Sequence, residues 1–172
     1  ALAGTMKVGD IKWSDKNIEE QRVVAQYIAN CISTYTDTCH EEGPYSVRAG
    51  QVTHLRSDFT FQLKDQKDFG RIIAQLHPTP AVCGLPKDET YRFIQEVESI
   101  DRRYYSGFMG PVDIDGETHL YVTLRCMSIA NGLCRLYAGG GLLKESEAES
   151  EWQETETKME TMKRTIYVQQ QG

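Results

Sequence analysis

The densest chemical signal in the chain is EWQETETK, from Glu151 to Lys158. At about 3.6 residues per helical turn, Glu151, Glu154 and Lys158 share one narrow stripe. An apolar stripe of Trp152, Thr155, Met159 and Met162 borders it, so the acids and the lysine are expected at the edge of a core. Two carboxylates one turn apart make a hard-oxygen site, and magnesium characteristically takes one or two protein carboxylates plus waters and an anionic substrate. The plainer alternative is a solvated helix face carrying an i,i+4 Glu154–Lys158 pair, worth about 0.2–0.5 kcal/mol. Glu20 is a further acid aimed inward, four residues before Val24 on an apolar stripe, and a carboxylate so placed needs a partner. Acids gathered together repel unless a cation sits among them.

Other side chains suit an anionic ligand. Arg125, on the polar face of a strand, has the planar fork that matches a carboxylate, although a structural salt bridge would use it equally well. Gly139-Gly140-Gly141 lets the main chain approach a ligand closely, or simply turns from strand to helix. His77 either donates to a substrate oxygen or caps a helix.

These groups must be held by ordered elements. Ser14 is a plausible N-cap for a helix to about Thr34, with Val24, Tyr27, Ile28 and Cys31 as its buried stripe. A turn is expected at Glu42-Gly43-Pro44, then two strands or one bent strand from about Ser46 to Leu63. Helices are predicted over Gln66–Leu76 and Lys87–Glu98, separated by HPTPAVCGLP, where prolines and glycine forbid regular structure and stiffen the loop. A three-stranded meander follows, Tyr104–Val112, His119–Ile129 and Leu133–Ala138, with Asp115-Gly116 and Asn131-Gly132 as hairpin turns. In the middle strand Leu120, Val122 and Leu124 face one way and His119, Tyr121, Thr123 and Arg125 the other. A last helix opens with a Ser146/Glu149 capping box. The expected class is α+β, an antiparallel sheet with helices packed on one face.

Composition narrows the function. With 172 residues, 40% hydrophobic and 26% charged, the chain reads as one globular domain. A net charge of −6 without a basic block argues against nucleic acid. No run of about 18 apolar residues exists and no signal peptide opens the chain, which reads as soluble and cytoplasmic with no membrane partner. Five scattered cysteines, never in a CxxC pair, indicate neither a disulfide framework nor a zinc site.

Taken in order, ALAGT at Ala1–Thr5, SDKNIEEQ at Ser14–Gln21, HLRSDF at His54–Phe59, HPTPAVCG at His77–Gly84, IDRRYYSG at Ile100–Gly107, LYAGGG at Leu136–Gly141 and EWQETETK resemble the chorismate-binding enzymes. That family includes isochorismate, salicylate, anthranilate and aminodeoxychorismate synthases. The resemblance implies part of an α/β sandwich of large antiparallel sheets, longer than twice this chain. It implies magnesium bound by Glu20 and Glu154 with Glu151 nearby, the ion holding the ring carboxylate of chorismate. It also implies substrate contacts from Gly4, Thr5, His77, Ala81, Tyr105, Arg125, Tyr137, Gly139 and Lys158. Ala81, where amine-forming and salicylate-forming relatives usually carry Thr, favours the isochorismate synthases, which add water at C2 of the ring as the C4 hydroxyl leaves.

Asn17 and Gln21 depart from the family's usual Asp and His, and Cys83 from its frequent Gly. The general base, a lysine, and the general acid, a glutamate, are expected upstream of ALAGT, so the chain is expected to be a truncated C-terminal part, inactive alone. Its partners would be chorismate and the missing N-terminal part, and uncovered apolar surface would favour self-association. The alternatives are a synthase component supplied with ammonia by a glutaminase, or a chorismate-binding module without catalysis.

Overall fold

The computed structural model describes residues 1–7, 12–49 and 52–166. The chain divides into two compact units, Ala1–Tyr91 and Arg92–Gly172. The class is α+β, with antiparallel ladders and helices.

In the first unit the strands β1 (Leu2–Lys7), β2 (Cys39–Ala49) and β3 (Val52–Phe61) form an antiparallel sheet in the order β1-β3-β2. The helix α1 (Asp15–Ser33) packs on β1 and β3. Ser14 is its N-cap, its side chain accepting the N–H of Asn17 at 3.2 Å. Val24 and Cys31 are buried as expected, but Tyr27 and Ile28 are only half-buried. Gln21, Ala25 and Ile32 complete the inner face instead. Gln21 is a polar residue in that face, and it is satisfied there because its Nε2 donates to the fully buried Ser57 Oγ at 2.9 Å.

Glu42-Gly43-Pro44 does not turn the chain. It lies inside β2, where the register against β3 shifts between Glu42 and Tyr45. Gly43 sits at φ +117°, and a Cβ there would lie 2.6 Å from the Arg56 carbonyl oxygen, so the bulge needs glycine. A second bulge in β1, between Ala3 and Thr5, places Gly4 at φ +70° against Asn17. The Asn17 amide matches the strand edge there: Thr5 N–H donates to its Oδ1 at 3.3 Å and its Nδ2 donates to the Thr5 carbonyl at 3.1 Å. An aspartate has no donor for the second bond, which gives a local reason for asparagine at this position.

The segment expected as one helix from Gln66 is a 3₁₀ turn at Gln66–Asp68 leading into α2 (Phe69–Leu76). The proline loop is not wholly irregular. Pro80 takes the first position of a one-turn helix, α3 (Pro80–Cys83), where its missing N–H costs nothing. Then α4 (Lys87–Val97) begins.

In the second unit the meander divides into two ladders, β4 (Phe108–Met109) with β5 (Tyr121–Val122), and β6 (Cys126–Ala130) with β7 (Leu133–Tyr137). The expected middle strand is therefore broken at Thr123–Arg125. Both hairpin turns are as expected, with positive φ at Asp115, Gly116, Asn131 and Gly132. The final helix, α5, spans Ala148–Lys163. Its N-cap is Glu147 without a side-chain cap, so the Ser146/Glu149 box does not form. Ser146 Oγ instead donates to Glu151 Oε1 at 2.6 Å and accepts the Leu143 N–H at 3.0 Å.

Among the described residues every buried apolar side chain except Tyr137 lies in the first unit. Phe108, Met109, Tyr121, Val122, Leu124, Ile129, Leu133 and Trp152 of the second are exposed, so the expected apolar face of the middle strand and the Trp152 end of the α5 stripe are not covered. No described helix is long and apolar enough to cross a membrane.

Candidate functional site

The second unit gathers Tyr105, Tyr137, Gly139, Glu151, Glu154 and Lys158. Tyr137 ends β7 and is buried, which delivers the chain to Gly139. Its ring stacks on Tyr105, with centroids 5.8 Å apart and planes at 19°. Tyr105 is fixed through its main chain: its N–H donates to the Arg102 carbonyl at 2.8 Å, and the N–H of Ser106 donates to the Thr123 carbonyl at 2.9 Å. The Arg102 guanidinium lies 5.6 Å from the Tyr105 ring centre and is paired with Glu98. Burial pushes the Tyr105 hydroxyl above its ordinary pKa, keeping it a neutral donor, while the charge of Arg102 pulls the other way.

Gly139 is required by this arrangement, since a Cβ there would stand 2.5 Å from the Tyr105 hydroxyl oxygen. Across the same glycine, Lys158 Nζ donates to the Gly139 carbonyl at 3.1 Å and pairs with Glu154 Oε1 at 2.7 Å. Glu151 is buried on the inner side of α5, and a Cβ on Gly140 would lie 3.5 Å from its Oε2. The stripe read from the sequence thus exists, with Glu151 inside and Glu154 and Lys158 half-buried. The hydroxyl of Tyr137 is buried and makes no hydrogen bond among the described residues. A buried hydroxyl without a partner is costly, and such exceptions in native folds call for an explanation.

Arg125, in the bend before β6, is half-buried, and burial pulls its guanidinium below its ordinary pKa, though a group starting so high stays charged near neutrality. In the first unit Gly4 and Thr5 sit in the β1 bulge, where His54 Nδ1 donates to the Gly4 carbonyl at 2.9 Å. Glu20 is half-buried on α1, and Ala81 half-buried in α3. His77 is the C-cap of α2, its N–H donating to the Ile73 carbonyl at 2.9 Å, so its main chain does cap a helix. Burial, and then the nearby charge of Lys87, lower the pKa of its imidazole. Among the described residues no three His, Cys, Asp or Glu side chains are grouped so as to hold a metal ion.

Sequence reasoning did not single out Lys87, whose ammonium meets the main chain beside His77. Its partners lie on α1 and at the end of α2, away from its own helix, so no local spacing marks it.

The profile of the family described as chorismate binding enzyme matches residues 2–167. The chain belongs to this family. Among its relatives, the isochorismate synthase DhbC of Bacillus subtilis is 34% identical over 94% of this chain and 41% of its own length. The vibriobactin-specific isochorismate synthase of Vibrio cholerae is 34% identical over 84% of this chain and 35% of its own length. The solved structure of MenF, the menaquinone-specific isochorismate synthase of Escherichia coli, superposes with a TM-score of 0.86 at 31% identity, covering 97% of this chain and 41% of that one. The chain therefore spans well under half the length of each of these chorismate-binding relatives.

Proposed function

We propose that this chain is the C-terminal part of an isochorismate synthase that converts chorismate to isochorismate, water entering at C2 of the ring as the C4 hydroxyl leaves. The observation that carries this reading is the cradle around Gly139: two stacked tyrosines, one with a buried hydroxyl that has no partner among the described residues, and a lysine across the glycine. That is a set of donors built for a carboxylated, oxygen-rich ligand. All three relatives described above are isochorismate synthases, which supports water as the nucleophile and Ala81 as its marker.

In this reading Arg125 and Tyr105 grip the enolpyruvyl carboxylate, the guanidinium as a charged fork and the phenol as a neutral donor. Tyr137, Gly139 and Lys158 orient the rest of the substrate; Gly4, Thr5, His77 and Ala81 are proposed as substrate contacts on the family resemblance alone. Glu151 and Glu154 fit magnesium by donor chemistry, being hard oxygens one turn apart on α5. Glu20 is proposed as a further ligand on the family resemblance. When bound, the ion would anchor the ring carboxylate and draw charge from the ring as a Lewis acid. The proton transfers belong to a lysine and a glutamate upstream of Ala1 in the complete enzyme.

The test is product analysis. The complete enzyme with magnesium and chorismate is expected to yield isochorismate, to stop when the metal is chelated and to recover when magnesium is restored. The 172-residue chain alone is expected to yield none, and turnover by it would overturn the assignment of base and acid to upstream sequence. A complete enzyme that makes only an aminated product from ammonia would overturn the choice of nucleophile.

Tyr137→Phe separates ligand from fold. Because the hydroxyl has no partner among the described residues, its removal should leave the chain's urea stability unchanged or raise it by up to about 1 kcal/mol. In the complete enzyme the same change should weaken chorismate binding about tenfold, the loss of one hydrogen bond to a charged group. Lower chain stability with unaltered binding would remove Tyr137 from the site.

A further inference from the structure

Lys87 occupies the first position of α4, the end of a helix where the macrodipole disfavours a cation and where Asp88 and Glu89 follow it. Its ammonium turns back from that helix onto the end of α2. Nζ donates to the carbonyls of Gln75 and His77, each at 2.8 Å, and to the Tyr27 hydroxyl oxygen at 3.1 Å. The Tyr27 hydroxyl in turn donates to the Gln75 carbonyl at 2.8 Å, and Nζ lies 5.7 Å from the Tyr27 ring centre. The last carbonyls of a helix lack partners within it, and a cation is favoured there. All three donors of the ammonium are thus committed to the main chain and phenol around His77, tying α1 and the end of α2 to the start of α4.

From this geometry we infer that Lys87 is a positioning residue: with Tyr27 it clasps the main chain at Gln75 and His77 and so sets the placement of the His77–Ala81 segment against substrate. The inference rests on the reading of His77 and Ala81 as substrate contacts. The alternative is that Lys87 merely closes a helix end. Two features favour positioning. One of the three acceptors is the carbonyl of His77 itself, beyond the end of α2. The segment that follows is stiff, with Pro80 and Cys83 buried, so a shift at His77 is carried on to Ala81 rather than absorbed.

The test uses the 172-residue chain and its Lys87→Met and Lys87→Arg variants. The His77 imidazole is followed by NMR titration, its resonance assigned by loss in His77→Gln. In Lys87→Met the His77 pKa is expected to rise, because both the burial and the neighbouring charge that hold it down are relaxed. Amide exchange over residues 77–83 is expected to accelerate about tenfold, equivalent to about 1.4 kcal/mol of lost protection. Lys87→Arg should restore most of both. A folded Lys87→Met chain with unchanged titration and unchanged exchange would overturn the clasp. If that variant does not fold, Tyr27→Phe, which deletes only one oxygen, should shift both readouts in the same direction by less, and no shift would be equally fatal. In the complete enzyme Lys87→Met should raise the KM for chorismate more than it lowers kcat; a fall in kcat alone would contradict a positioning role. The NMR and exchange readouts require no turnover, so they decide the clasp even if the enzyme proves to act on another substrate.

Discussion

Gly139→Ala should destabilise the chain by about 1–3 kcal/mol in urea unfolding, the usual cost of an added methyl in a site with no room. The new Cβ would stand 2.5 Å from the Tyr105 hydroxyl oxygen and 3.7 Å from its Cζ. A long, free side chain would swing away at little cost, but Tyr105 is stacked on Tyr137 and its turn is bonded to Thr123. Relief must come from breaking the stack or from moving the Gly139 carbonyl off Lys158 Nζ. Either outcome spoils the cradle, so chorismate binding by the complete enzyme should weaken at least about tenfold. Gly70→Ala is the control. It lies in α2 with nothing within 4 Å of the added Cβ, and should stabilise the chain by about 0.5–1 kcal/mol. If Gly139→Ala behaves like Gly70→Ala, the close approach of Tyr105 is not a feature of the folded protein.

The second large effect concerns Glu154. Glu154→Gln keeps the shape and a hydrogen-bonding oxygen but removes the charge that pairs with Lys158 at 2.7 Å. That ion pair is half-exposed, so chain stability should change by less than about 0.5 kcal/mol. On the proposed reading the same change also removes a magnesium ligand. Magnesium-supported turnover of the complete enzyme should fall by about a hundredfold or more, with the response to magnesium shifted to higher concentration. Glu151→Gln should damage both properties, because this carboxylate is buried and accepts the Ser146 hydroxyl at 2.6 Å. An unaltered magnesium response in Glu154→Gln would exclude Glu154 as a ligand.

What the sequence revealed and what it concealed divide along a physical line. The Ser14 cap and the Asp115-Gly116 and Asn131-Gly132 turns were legible because each is decided by neighbouring residues alone. The α5 stripe was legible in part, since spacing fixed that Glu151, Glu154 and Lys158 share a side. Spacing could not show that Trp152 stays exposed. The errors came from motifs that serve two purposes. Gly43-Pro44 has the composition of a turn but forms a bulge, because β3 continues alongside it. Ser146 has the spacing of a capping box, but its hydroxyl is taken by the buried Glu151. The Gln21–Ser57 and Lys87–His77 bonds join residues on separate elements, which no periodicity records. Residue type and spacing offered Glu20, His77, Arg125, Gly139, Glu151, Glu154 and Lys158 as candidates, and the family resemblance added Gly4, Thr5, Ala81, Tyr105 and Tyr137. The buried hydroxyl of Tyr137 and the close approach at Gly139 give two of them a reason independent of that resemblance.

The Asn17 amide has a consequence beyond local order. β1 is a margin of its sheet, and exposed margins are where foreign strands add and where fibrous growth begins. At Thr5 both main-chain groups that would greet such a newcomer are already engaged by a side chain from α1. The helix thereby denies an intruding strand its register at this point, a safeguard against intermolecular zippering that needs no charged gatekeeper.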